Sequence, residues 1–275
     1  MMESEKTRKS MRTFYDEFGW TRDPESGELK AVVCHEDLDG TTQRYMDANE
    51  ARYIDVFKEG GDFFLDAGCG GEPRPHFSKG FAHHVCLDLS HEGLLRAKEQ
   101  LTDRAHYVQA DMARLPFKEG AFGGILACHC LYHVDRDEQP LVIREFVRIL
   151  DRNKHAVVFY STRWNLISFH QKIVNTFKKL IARFKPAPNG ALTEESADTP
   201  PPLYFRQVPL RDLLGENTKA HVSCLRILTK SETAFLRKIH LFSPLLPAVL
   251  LMERAFPKSM TYVGPYVAID IRKEA

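Results

Sequence analysis

Short apolar runs alternate with segments of helical periodicity through the middle of the chain. Phe63–Ala67, His84–Ser90, His106–Asp111, Gly123–His129 and Ala156–Ser161 each read as a buried strand. Between them, 91–101 and 139–150 place apolar residues on one helical face, with Val142, Phe146, Ile149 and Leu150 lining the second and Ser90 placed to cap the first. Upstream, Tyr45, Met46, Tyr53, Ile54 and Phe57 give a further helical stripe over 45–58. Downstream, Val222–Thr229 and Tyr266–Lys273 predict two more strands, separated by a proline-punctuated helical region at 231–258. Strands linked by helical crossovers predict an α/β fold with a parallel sheet.

Where strand and turn meet, the pattern acquires chemistry. The first strand runs into Gly68 and Gly70, with Asp66 two places before the turn. Glycines there let a backbone approach a ligand where a side chain would block it. Asp88 follows Asp66 by 22 residues and Asp111 follows Asp88 by 23, so each strand–crossover unit ends on an acid. In such sheets ligands bind at the carboxyl ends of the strands.

Composition narrows the reading. The 275 residues are 43% hydrophobic, enough for one large domain with a real core. With 38 basic and 37 acidic residues there is no bulk electrostatic case for a nucleic-acid partner. The six cysteines, at 34, 69, 86, 128, 130 and 224, form no C-x-x-C pair and read as reduced core thiols of a cytoplasmic protein. Met1–Arg12 is charged and lacks the apolar core of a signal peptide. The apolar run from Leu245 is too short to span a bilayer, so no membrane span is expected, while contact with a membrane surface or lipid stays open.

These motifs together resemble the class I S-adenosylmethionine-dependent methyltransferases, in particular the small-molecule, quinone-biosynthesis-like group called type 11. LDAGCG from Leu65 is similar to the first family motif, LDLS from Leu87 to the second, ADMARLPF from Ala110 to the third and LACHCLYHV from Leu126 to the strand-four motif. The resemblance implies a Rossmann-like, mostly parallel seven-stranded sheet with helices on both faces, the last strand antiparallel, and a helical insertion or cap. It implies S-adenosylmethionine as cofactor, held by Asp66, Gly68, Cys69 and Gly70 at its amino-acid end. Asp88 and Leu89 would meet the ribose, Asp111 and Met112 the adenine, and His129 the methionine moiety.

His133 would face the substrate side and, ahead of His129, is the candidate base for a protonated acceptor, while Tyr15, with Trp20, would close over the cofactor as an N-terminal lid. Packing of that arm against the core is the plain alternative. Four units are expected: an arm over 1–58, a cofactor core over 59–161, an insertion with a flexible loop over 162–221, and a sheet-completing cap over 222–275. The acceptor is expected to be a small molecule, apolar or lipid-linked. Neither the amino-methylating N/D-P-P-Y/F signature nor a Pro-Cys nucleophile follows strand four. The chain departs from the family at Glu72, in place of a third glycine, at Pro73 and Pro75, and at Asp151–Lys154, in place of a K-P-G-G turn. The first departures motivate an alternative, a non-catalytic binding or regulatory module. A nicotinamide-binding turn would want G-x-G-x-x-G, and Pro73 stands in its third position. Cys128, His129 and Cys130 suggest a metal site, but adjacent residues of an extended strand face opposite ways, so none is expected. Oligomeric state is not legible.

Overall fold

The computed structural model describes residues 2–22, 27, 29, 30, 40–162, 165, 166, 206–215 and 218–273. Most of the insertion with a flexible loop expected over 162–221 lies outside the described residues, as does Cys34. The apolar runs become β1 (Gly61–Ala67), β2 (Phe81–Asp88), β3 (Ala105–Gln109), β4 (Phe122–Cys128), β5 (Leu150–Ser161), β6 (Ala220–Arg226) and β7 (Tyr266–Arg272). They form one sheet in the order β3-β2-β1-β4-β5-β7-β6. Strands β3 to β5 pair in parallel, and β7 inserts antiparallel between β5 and β6.

The sheet is covered on both faces, which is why its central strands are continuously apolar rather than alternating. Leu65, Val85, Ile125, Val158 and Ile269 face one core, shared with Val142 and Phe146 of α4 (Gln139–Ile149). Phe64, Leu126, Phe159 and Ala268 face the other, packed by Tyr53 and Phe57. The stripe expected over 45–58 resolves into α2 (Gly40–Glu50) and a 3₁₀ segment, Ala51–Phe57. Ahead of it, α1 (Met2–Phe14) continues into a π-helical turn, Tyr15–Gly19.

Ser90 caps α3 (His91–Leu101) as expected, its Oγ accepting from the Gly93 N–H at 3.0 Å. The same hydroxyl donates to Asp16 at 2.6 Å, and Asp16 also accepts from the Glu92 N–H at 3.2 Å, so the N-terminal arm is tied to the start of α3. Two departures have physical causes. Between β1 and β2, where Pro73 and Pro75 remove backbone donors, there is only the 3₁₀ turn Pro75–Phe77. Asp151–Lys154 is not a free turn but belongs to β5, where Asn153 adopts φ 60° and the pairing with β4 shifts register. Beyond β6 lie α6 (Lys230–Lys238), α7 (Phe242–Ala255) and α8 (Pro257–Met260), with a short α5 (Leu210–Leu214) before it.

Candidate active site

The carboxyl end of β1 delivers Asp66 into a cavity of about 340 Å³. Its side chain is 1% exposed. Oδ2 accepts from the Arg74 N–H at 2.7 Å and lies 3.5 Å from His84 Nε2. Burial disfavours a charge on His84, but the neighbouring Asp66 carboxylate outweighs this and lifts its pKa to about 9. Oδ1 of Asp66 is buried and has no hydrogen-bond partner. A buried carboxylate oxygen lining a cavity with nothing to accept is a place for a donor on a ligand. Gly68 turns the chain at φ 68°, and a Cβ there would lie 2.7 Å from Cys130 Sγ. Cys69, Leu89, Met112 and Gly68 itself all line the cavity.

Asp88, at the end of β2, also lines it. Its oxygens accept from the Gly70 N–H at 2.8 Å and the Ser90 N–H at 2.7 Å. Burial lifts its pKa to about 6 against the pull of these backbone donors, so it is ionised above that pH. Gly70, by contrast, does not line the cavity. Its close approach is to protein: a Cβ would fall 2.0 Å from Trp20 Cζ2, and Gly71 and Gly93 are also covered by that indole. Tyr15 stacks on Trp20 with centroids 5.5 Å apart. Gly70→Ala should therefore unseat Trp20 and add backbone strain of about 1–2 kcal/mol at φ 52°. Tryptophan emission in a Trp164→Phe background should shift to the red and the melting temperature should fall. Unchanged emission would mean that the indole does not rest on the turn.

Asp111 is the other expected residue that does not line the cavity. Its carboxylate is taken by Arg8 of α1 at 2.6 Å, Arg114 at 3.0 Å and the Ala113 N–H at 2.9 Å. Its neighbours Ala110 and Met112 do reach the cavity. Thr7 donates to Asp135 at 3.2 Å, so α1 lies across the strand ends and closes this side.

At the end of β4, His129 adopts φ 55° and departs from extended geometry. Cys128 and His129 therefore meet despite being adjacent, with Glu50 rather than Cys130 as the third group. Cys128, His129 and Glu50 each present a ligand atom within 4.8 Å of the others. Arg74 stands 3.9 Å from Glu50 and its charge opposes a cation there. Nε2 of His129 lies 3.6 Å from Glu50 Oε1, and neither ring nitrogen has a hydrogen-bond partner. Burial holds the His129 pKa below its usual value. Burial pushes Glu50 the other way, but His129 and Arg74 outweigh it and hold the carboxylate at about 2. The result is a neutral imidazole beside a fixed carboxylate, an arrangement suited to accepting a proton. His133 and Tyr15 also line the cavity, and burial keeps the Tyr15 phenol protonated, its pKa well above the usual value.

Several lining residues gave no local signal. Glu50 ends α2, and Arg226 of β6 lies over the Tyr266 ring of β7 at 3.6 Å. Only tertiary pairing brings them to the strand ends. The helical stripe around Met46 was legible, but not that Met46 would reach the cavity.

The residues present fit S-adenosylmethionine. Asp66 offers a free acceptor for the ammonium group, Asp88 a carboxylate beside the glycine turn, and Met112 an apolar wall. No curated protein matches the chain in sequence. In fold it is similar to the geranyl diphosphate C-methyltransferase of Streptomyces coelicolor A3(2), solved with Mg2+, geranyl diphosphate and S-adenosyl-L-homocysteine. That likeness has 17% identity and a TM-score of 0.55, covering 97% of this chain and 98% of that one. It is also similar to N-methyltransferase NodS from Bradyrhizobium japonicum WM9, at 12% identity and a TM-score of 0.50, over 86% of this chain and 100% of that one. The family described as Methyltransferase domain, of the type 11 group, matches residues 65–158, which span β1 to β5 and both cavity aspartates. Residues 65–158 thus carry a class I methyltransferase domain of that group, whose cofactor is S-adenosylmethionine.

Proposed function

We propose that the acceptor is a small molecule with an apolar body, held between Met46, Tyr132 and Tyr266, and that His129 with Glu50 removes its proton. The observation that carries this reading is the neutral His129 ring, with no hydrogen bond of its own, facing an anchored carboxylate inside the cavity. The cofactor, when bound, supplies an electrophilic methyl group on a good leaving group. The protein's part is alignment and exclusion of water, for which Trp20, Tyr15 and α1 close the cavity. Glu50 orients the imidazole and stabilises the cation formed as the proton arrives.

His133 is the competing base, since it lines the same cavity and lies against Tyr15 at 6.1 Å. The two separate by substitution. Turnover would be followed as S-adenosylhomocysteine release over a panel of apolar acceptors, starting with geranyl diphosphate. His129→Gln should lower it by about 10²–10⁴-fold with calorimetric affinity for S-adenosylhomocysteine retained. The wild-type acid limb should lie below the usual imidazole range, and His129→Gln should erase it. Loss in His133→Gln alone would transfer the role to His133. No affinity for S-adenosylhomocysteine at millimolar concentration would favour a non-catalytic module.

A further inference from the structure

We propose that the outer face of α6–α8 docks on an anionic lipid bilayer. Among the described residues, eleven large apolar side chains stand exposed, and eight of them fall between Phe235 and Tyr262. Leu251, Phe256 and Tyr262 are 67%, 59% and 76% exposed. Leu166, also exposed, joins them through its backbone bond to the Tyr262 carbonyl at 2.9 Å.

This face is the second apolar side of a helix whose first side is already used. Phe242, Leu246, Val249 and Leu250 of α7 pack inward with Tyr45 and Ile227. Leu241, just before α7, and Leu245, Ala248 and Met252 recur at four-, three- and four-residue steps along an adjacent side, where all are exposed. A helix apolar on all sides is ordinarily covered on all sides. No helix of the described residues is long and apolar enough to cross a membrane, so the fitting arrangement is one that lies in the interface.

Charge selects the occupant. From Ala234 to Tyr262 the sequence holds Arg237, Lys238, Arg254 and Lys258 but a single acid, Glu253. Glu253 is fully buried, whereas Lys238, Arg254 and Lys258 are exposed beside the apolar side chains. An apolar face edged by cations and free of exposed acid is complementary to anionic headgroups over acyl chains. It has no counterpart in a second copy of itself, because two such faces would oppose their positive edges.

The face also lies one layer from the active site. Met46 packs in the same cluster as the inner side of α7 and lines the cavity. A bilayer under α7 would thus bring a lipid-like acceptor close to the cavity. This purpose rests on the apolar-acceptor reading; the docking itself does not, and it is measured without catalysis.

Flotation of the full chain with vesicles of phosphatidylcholine, alone or with roughly 30% phosphatidylglycerol, tests it. Binding is expected to the anionic vesicles, to be weaker on neutral ones, and to decline with salt. The double variant Leu251→Glu/Phe256→Glu should lower partitioning at least about ten-fold, with melting temperature and S-adenosylhomocysteine affinity unchanged. Should that variant unfold, Arg254→Gln/Lys258→Gln should remove the preference for anionic vesicles. No flotation with either composition would overturn the proposal, as would flotation insensitive to both variants. A dimer seen by light scattering and dispersed by the glutamates would also overturn it, naming a second copy as occupant. Failure of methyl transfer with docking intact would instead count against the acceptor reading alone.

Discussion

Asp66→Ala is expected to cost about 3–5 kcal/mol of stability and to abolish cofactor binding. The carboxylate is almost fully buried and accepts from the Arg74 N–H, and it faces His84 at 3.5 Å. Removing it leaves a buried imidazolium without its counter-charge and a backbone donor without an acceptor. Asp66→Asn keeps an acceptor for Arg74 and isolates the charge. Its affinity for S-adenosylmethionine should fall about 10–100-fold, the equivalent of one charge-assisted hydrogen bond.

A pH signature accompanies this. His84 has its folded pKa raised to about 9, above its unfolded value, so its contribution is complete below about pH 6.5 and is lost as pH rises through 9. The loss is on the order of 3 kcal/mol. Urea unfolding of the wild type at pH 6, 7.5 and 9 should show that decline, and Asp66→Asn should show a shallower one. A wild-type stability that is flat across this window would refute the Asp66–His84 pairing.

The second large effect is distant from the chemistry. Glu253 of α7 is fully buried, and it accepts from the Tyr45 hydroxyl at 2.5 Å and the Ile227 N–H at 2.7 Å. Burial raises its pKa, and these donors only partly offset it. Glu253→Ala strands two buried donors and leaves a cavity, so a loss of about 3–5 kcal/mol is expected by denaturant titration. Tyr45→Phe removes one donor and should cost about 1–3 kcal/mol. If the two variants destabilise equally, the Ile227 bond contributes nothing separate. Because Tyr45 neighbours Met46 on α2, the alanine variant should also weaken the acceptor side of the cavity.

Much of this architecture could be read from the chain before folding. The continuously apolar strands announced a sheet buried on both faces, and Ser90 announced the start of α3. Asp66 and Asp88 reach the cavity because each closes a strand, a position that sequence spacing reports well. Asp111 lies two residues past the end of β3, and Arg8 takes its carboxylate from 103 residues away, a pairing no local pattern encodes. Gly70 was legible as a close approach, but not that an indole would be what approaches. The metal argument depended on extended geometry at His129, and a left-handed residue there has no signature in the string. Glu50, Arg226 and Tyr266 come from α2, β6 and β7, so their meeting belongs to topology rather than to motif.

The position of β7 has a consequence for biogenesis. Of the described strands, the last in chain order fills the slot between β5 and β6. Until residues 266–272 leave the ribosome, both neighbours present open ladders, templates for illicit pairing between nascent chains. Premature termination anywhere upstream of Tyr266 should therefore yield insoluble product rather than a shortened enzyme, and fusion partners that delay release of this segment should do the same.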